Sequence, residues 1–384
     1  MQQGFPLIRF MAARLRMGMS DADILQSPEL HPLAPTTATV LLKAVKEIWL
    51  LLQEGTPLEK VQKPLQRYGI EEQTLAAIIE SVHAEDVHTW FKQSTVPAGP
   101  RCPAWDEEKE KNLLFAQATE WIASGEKDLA AAALRRLLLL DCDSSQYYNT
   151  LSSVLLSAHN HIFMLKHLHA VLQPKRYLEI GVSFGHSIVL AQPGTQAVGI
   201  DPELKATCHR LPDHIRLYGM TSDDFFAKVD VQAVLGGPLD MAFLDGMHLF
   251  EYLLRDFIHA ERHCHRHSVI LLHDTYPVDG VVAARKRLTG YWLGDVWKMV
   301  PCLKKYRPEL QIDTIAVQPS GLTVVRGLDP GNRTLLDHLP EIYQEFIYLN
   351  FAQVQDKMDE LVNLVPADVA HITRDWLLQP AEKA

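Results

Sequence analysis

Four residues stand where chemistry could be done: Asp201, Asp245, His248 and Asp274. Asp245 and Asp274 each follow a short apolar run, Met241 to Leu244 and Ser268 to His273. A pair of carboxylates suits a hard divalent cation such as Mg2+, which takes oxygen ligands and keeps positions open for substrate oxygens. Such an ion lowers the pKa of a substrate hydroxyl, and His248, a group titrating near neutrality, could take the proton. Upstream, the segment Tyr177 to Gly185 carries glycines at 181 and 185, which permit a tight turn and let a ligand approach the backbone. Asp201 follows about 20 residues after the first glycine, a position from which an acid can accept both hydroxyl hydrogens of a ribose. Ser183 and His186 occupy the second and third glycine places of a dinucleotide fingerprint, so hydride chemistry ranks behind a nucleoside-type ligand.

These residues need a scaffold that brings them to one edge. After Pro174, β-rich runs (Tyr177 to Ile180, Ala197 to Ile200, Ile215 to Tyr218, Asp240 to Leu244, Ser268 to His273) alternate with helical patterns. Parallel neighbours can be reached only through long crossovers, so the alternation predicts an α/β sandwich. Neighbouring parallel strands present their carboxyl ends together, which brings Asp245 and Asp274 to one place. A helix is expected to begin near Ser187, and its first amides could meet polar ligand atoms. Another is marked by Phe250, Leu253, Leu254, Phe257 and Ile258 in one apolar stripe. The runs Ile312 to Val317 and Leu322 to Val325, split by Gln318-Pro319-Ser320-Gly321, suggest an antiparallel hairpin at the sheet edge. Strand alternation turns His273 away from Asp274, which gives it a structural role.

The glycine loop with Asp201 resembles motif I and the ribose-binding acid of class I S-adenosylmethionine-dependent methyltransferases. The resemblance implies a Rossmann-like sandwich with a mostly parallel seven-stranded sheet and a C-terminal antiparallel hairpin, plus an all-α N-terminal region. It also implies S-adenosylmethionine as cofactor, bound by Glu179, Gly181, Ser183, Phe184, Gly185 and Asp201, with Ser222 and Asp223 toward adenine. The elements Asp245-Gly246-Met247-His248 and His273-Asp274 are similar to those of metal-dependent sugar and macrolide O-methyltransferases and of glycan-cluster methyltransferases. There the two acids ligate metal and the histidine is the base, which maps the metal to Asp245 and Asp274 and the base to His248. Asp245 is also assigned to the cofactor side and to catalysis. Thr275 stands where catechol-type enzymes have Asn, so the third ligand is unidentified. The resemblance spans Arg176 to Pro330. A site without Mg2+, in which the acids cap helices or bind cofactor, stays open.

The expected organisation is a helical N-terminal domain (1–95), a helical hairpin or tetratricopeptide-like connector (104–172), the methyltransferase domain (173–330) and a C-terminal helical extension (331–384). Helical spacing runs from Thr37 to His88, and the prolines of Ser94 to Pro103 mark a linker. The segment Pro340 to Leu378 reads as helix that packs back on the N-terminal region. A net charge of −10 argues against a broad grip on nucleic acid. The five scattered cysteines read as reduced thiols, and no secretion signal or membrane span is recognised, so a cytoplasmic protein is expected. The histidines around 159–169 and 263–267 do not build a closed metal site; the latter group is taken as a helix end. Trp292 and Trp297 are open between stacking on a ligand and core packing. The leading expectation is O-methylation of a small molecule, sugar or glycan. The alternatives are methylation of a peptide or carboxylate held by the helical region, and a non-catalytic interaction protein on the same fold. A homo-oligomer is compatible with all of these.

Overall fold

The computed structural model describes residues 107–141, 143–205, 211–287, 289–349 and 351–372. The expectations for Thr37 to His88 and for the Ser94 to Pro103 linker lie outside them. The chain divides into two units, Met1–Cys142 and Asp143–Ala384, with the boundary inside the segment expected to be one connector. In the first unit α1 (Glu107–Ser124) and α2 (Lys127–Leu140) form a hairpin that turns at Gly125, whose φ of 84° favours glycine. Buried Ala118, Ala130, Ala131 and Ala133 lie in the helices of this hairpin, and their small side chains permit close packing.

The second unit begins with α3 (Ser145–Leu155) and α4 (His161–Leu172). Ser144 and Asn160 cap these helices, accepting the amides of Tyr147 and Phe163. A left-handed Gln173, followed by Pro174, ends α4 and releases the chain into the first strand. The strands are β1 (Arg176–Ile180), β2 (Gln196–Ile200), β3 (Ile215–Tyr218), β4 (Leu239–Leu244), β5 (Cys264–His273), β6 (Gln311–Ile315), β7 (Leu322–Arg326) and β8 (Leu364–Val365). Their order is β3-β2-β1-β4-β5-β7-β6-β8. The first five are parallel, and β7 pairs antiparallel with both β5 and β6.

Side chains alternate between two buried layers, because successive Cβ atoms point to opposite faces of a strand. Leu178, Ile180, Val198, Ala242, Leu244, Ile270 and Leu272 belong to one layer, together with residues of α5 (Ser222–Lys228), α6 (Val231–Leu235), α7 (Phe250–Arg262) and α8 (Met299–Tyr306). Tyr177, Ala197, Met241, Phe243, Val269 and Leu271 belong to the other, with Met164, Leu165 and Leu168 of α4. The stripe expected on α7 is buried at all five positions.

Three expectations need correction. An eighth strand, β8, adds parallel to β6, and Ile342, Phe346, Phe351, Met358 and Val362 lie in the main core. The segment after 331 therefore packs into the core of the second unit and adds a strand to its sheet, which was hidden because a two-residue strand has no periodicity to read. The glycine loop leads into a 3-10 turn, Ile188–Leu190, and not into an α-helix near Ser187. Cys264, His265 and His267 open β5 instead of ending a helix, and His265 pairs with Asp240 at 3.0 Å.

Candidate active site

The loop after β1 is built by backbone. Gly181, Ser183 and Gly185 have φ of 90°, 45° and 83°, a left-handed sequence that a β-branched residue would resist. A Cβ on Gly181 would sit 1.8 Å from the carbonyl oxygen of Asp245, so only glycine lets the β1 and β4 ends close on each other. The Gly181 amide donates to Ile200 O at 2.9 Å and the Asp245 amide to Ile180 O at 2.8 Å, which extends the ladder into the loops. Asp201, at the end of β2, accepts the Ser183 amide on Oδ2 and the Glu203 amide on Oδ1, each at 2.7 Å. A carboxylate has about four acceptor positions, so Asp201 keeps capacity for a ribose diol beside the loop. Phe184 projects from the loop, 55% exposed. These features fit a nucleoside-type cofactor lying against 181–185.

Three residues expected at the cofactor make contacts within the protein. Glu179 is fully buried behind the loop, accepting from Tyr177 OH at 2.7 Å and Ser187 Oγ at 2.6 Å. Burial, opposed by those two hydrogen bonds, pushes its carboxyl up to about 8. It braces the loop. Asp223 is held by Arg255 at both oxygens, 3.0 and 2.7 Å, and that guanidinium keeps its carboxyl below the usual range. Ser222 hydrogen-bonds to Asp256, whose carboxyl burial pushes up to about 7.

At the ends of β4 and β5 the site is made of charged side chains. Asp245, His248 and Asp274 present donor atoms all within 4.8 Å of one another. His248 Nδ1 lies 3.2 Å from Asp274 Oδ2, and its Nε2 lies 3.5 Å from Asp245 Oδ1. Burial works against a charged imidazole there, but the Asp274 and Asp245 carboxylates win and raise His248 to about 9. Asp245 is driven the opposite way: desolvation is outweighed by His273 and His248, which hold its carboxyl far below the ordinary range.

His273 is closer to Asp274 than strand alternation implied. It does face the α4 side of the sheet, its ring 4.2 Å from that of His161 and 5.9 Å from that of Phe243. Asp274 then takes a left-handed φ of 59°, which bends the chain at the strand end. His273 Nδ1 thus stays 3.1 Å from Asp245 Oδ1 and 3.2 Å from Asp274 Oδ1. Its pKa, lowered by burial but raised more by the two carboxylates, reaches about 9. Pattern reasoning missed this because alternation holds only while the backbone remains extended.

One further residue at the site was not singled out from the sequence. Ser320, buried in the β6–β7 turn, donates to Asp274 Oδ1. The same turn takes hydrogen bonds from Ser152 Oγ to Pro319 O (2.6 Å) and from the His161 amide to Gln318 O (2.8 Å), which tie it to α3 and α4. Thr275 is turned away from the acids, its hydroxyl 2.7 Å from that of Thr323. Trp297 is fully buried in the core, whereas Trp292 stacks on His248.

Residues 178–275 match a family model described as a methyltransferase domain. No curated protein matches the chain. Among solved structures it is similar to cofactor-bound Rv0187 from MTB, at 18% identity and TM-score 0.36, covering 47% of this chain and 86% of that one. It is also similar to the O-methyltransferase TomG from Streptomyces achromogenes in complex with SAM, at 16% identity and TM-score 0.34, over 44% and 79% of the two chains. An O-methyltransferase family protein from Burkholderia thailandensis shares 10% identity over 82% of this chain and 99% of that one, at TM-score 0.33. The segment matched by the methyltransferase-domain model covers the glycine loop, Asp201, Asp245, His248 and Asp274, so the residues singled out in the sequence fall within the part of the chain that is similar to methyltransferases.

Proposed function

We propose that this domain methylates a hydroxyl of a small molecule, sugar or glycan, with His248 as general base and a divalent cation between Asp245 and Asp274. The observation that carries the proposal is the convergence of Asp245, His248 and Asp274 at the strand edge beside the glycine loop. The donor chemistry fits a cation: two carboxylates from adjacent strand ends face one another, with a nitrogen near both. When bound, such an ion would polarise the acceptor hydroxyl and favour its alkoxide.

The protein's own residues do the rest. Asp201 and the 181–185 loop align the sulfonium donor, and transfer needs little more than an in-line approach of the acceptor oxygen. His248 Nδ1 donates to Trp292 O at 3.1 Å, which leaves Nε2 as the nitrogen for proton abstraction. With His248 so employed, His273 Nδ1, near both acids, would have to lose its proton before it could serve as a third donor. An imidazole in the set would suit Fe2+, whereas Mg2+ and Mn2+ are better served by the carboxylate oxygens. The two carboxylates hold the His248 proton on; a cation that neutralised them would lower its pKa toward the ordinary imidazole range.

Calorimetric titration of the full chain with S-adenosylhomocysteine, with and without Mg2+ or Mn2+, tests the reading. Saturable binding of the product cofactor is expected, and methyl-labelled cofactor should transfer label to a hydroxylated acceptor in a panel of sugars, phenols and peptides. No heat from cofactor would end the assignment. Label found on carboxylates instead would move it to another acceptor class.

A further inference from the structure

Besides the two acids, His248 is contacted by the segment Thr289–Asp295. Trp292 takes the His248 Nδ1 proton on its carbonyl at 3.1 Å and lays its indole against the imidazole, centroids 5.5 Å apart and planes 26° apart. The indole is itself fixed: Nε1 donates to Ala284 O at 2.7 Å, and the Arg287 guanidinium stands 5.9 Å over the ring. The Leu293 and Gly294 amides both donate to Val282 O, at 3.0 and 3.1 Å. Gly294, at φ 70°, passes so near that a Cβ would lie 1.7 Å from His248 O. The Asp295 amide then donates to that same carbonyl at 3.3 Å.

The far end of the segment is anchored in the core. Asp295, 1% exposed, accepts the Phe250 amide on Oδ1 at 2.8 Å and so caps α7, which has no cap of its own. Its Oδ2 receives Arg285 Nη1 at 3.1 Å and the buried Lys298 Nζ at 3.0 Å. At the near end Gly290 donates its amide to Asp143 Oδ1 at 3.0 Å, and Tyr291 stacks on Tyr148 with centroids 5.0 Å apart. Both ends are therefore held, and His248 lies under the middle.

We infer that Thr289–Asp295 is a strap that sets the ring of His248, with Trp292 as the positioning residue that keeps the Nδ1 proton on a carbonyl and turns Nε2 to the reaction centre. Two acceptors compete for Nδ1–H, Trp292 O and Asp274 Oδ2. A backbone carbonyl on a doubly anchored strap stays in place when Asp274 is engaged by anything else, so it alone can fix the ring through a catalytic cycle. The inference rests on the proposed role of His248 as base.

The test is spectroscopic, on the full chain labelled with 15N-histidine and saturated with S-adenosylhomocysteine. The wild type should show a slowly exchanging Nδ1–H cross-peak, assigned to His248 by its loss in His248→Asn. Trp292→Phe, which keeps a ring over the imidazole, should retain it; Trp292→Ala and Trp292→Leu should lose it to exchange with water. S-adenosylhomocysteine affinity should stay within about threefold in all of them, because neither Trp292 nor His248 is among the residues assigned to the cofactor and effects without shared partners are independent. Should the alanine variant fail to fold, the leucine variant decides. A peak that persists in a folded Ala or Leu variant overturns the strap, as does a wild type with no such peak, or a tenfold loss of cofactor affinity in the variants, roughly 1.4 kcal/mol. Failure of the wild type to bind the product cofactor at all would sink the methyltransferase reading instead, which keeps the two failures distinct.

Discussion

The loops after β1 and β4 lie side by side, joined by Gly181 and Asp245, yet they are built from different material. Around 181–185 the site is backbone: three left-handed residues, amides, and one partly exposed acid whose oxygens already collect N–H groups. Around 245–274 it is a set of mutually compensating charges, two aspartates against two histidines, with Asp274 and His273 almost fully buried. A surface of amides and glycine suits a ligand that must be held in one pose. A nest of opposed charges suits a proton that must move, since each group sets the pKa of the next. The difference leads to the expectation that, if the proposed roles hold, binding and chemistry separate under mutation across one sheet edge.

The largest expected effect sharpens that separation. His248→Ala should lower turnover by roughly two to four orders of magnitude, with S-adenosylhomocysteine affinity unchanged in calorimetry; parallel losses of both would erase the distinction. Gly181→Ala should do the reverse damage. A side chain at φ 90° that meets Asp245 O at 1.8 Å must push the two loops apart. We expect a loss of about 2 kcal/mol or more in urea unfolding, from strain and overpacking together, with weaker cofactor binding. Normal stability and binding in this variant would contradict the close approach described.

A smaller effect concerns pH. The folded pKa values of His248 and His273 are raised to about 9, and that of Glu179 to about 8. Groups raised on folding contribute stability in full below their unfolded pKa and lose it as pH climbs through the folded value. Metal-free protein should therefore unfold at lower urea concentration at pH 9.5 than at pH 6.5. Asp245, depressed on folding, adds no slope in that window. Glu179→Gln should flatten the part of the decline below pH 8, and an identical pH profile would show that the brace behind the glycine loop carries no such penalty.

Much of the scaffold could be read from residues alone. Parallel strands separated by amphipathic crossovers leave a period of two against a period near 3.6, and five strands and α7 were legible for that reason. The hairpin was legible from turn chemistry at Gln318 to Gly321. Asp201, Asp245 and Asp274 could be placed at one edge because parallel strands share a direction. β8 escaped because two residues carry no pattern.

The amino-acid order by itself determined the strand sequence, the glycine loop, and which acids end which strands, since these follow from local periodicity and from the absence of a Cβ. Only the tertiary structure decided what surrounds His248. Trp292, Ser320 and His273 reach the site from segments far apart along the chain or through a left-handed bend at Asp274, and no local spacing encodes a contact that exists only after the sheet has assembled.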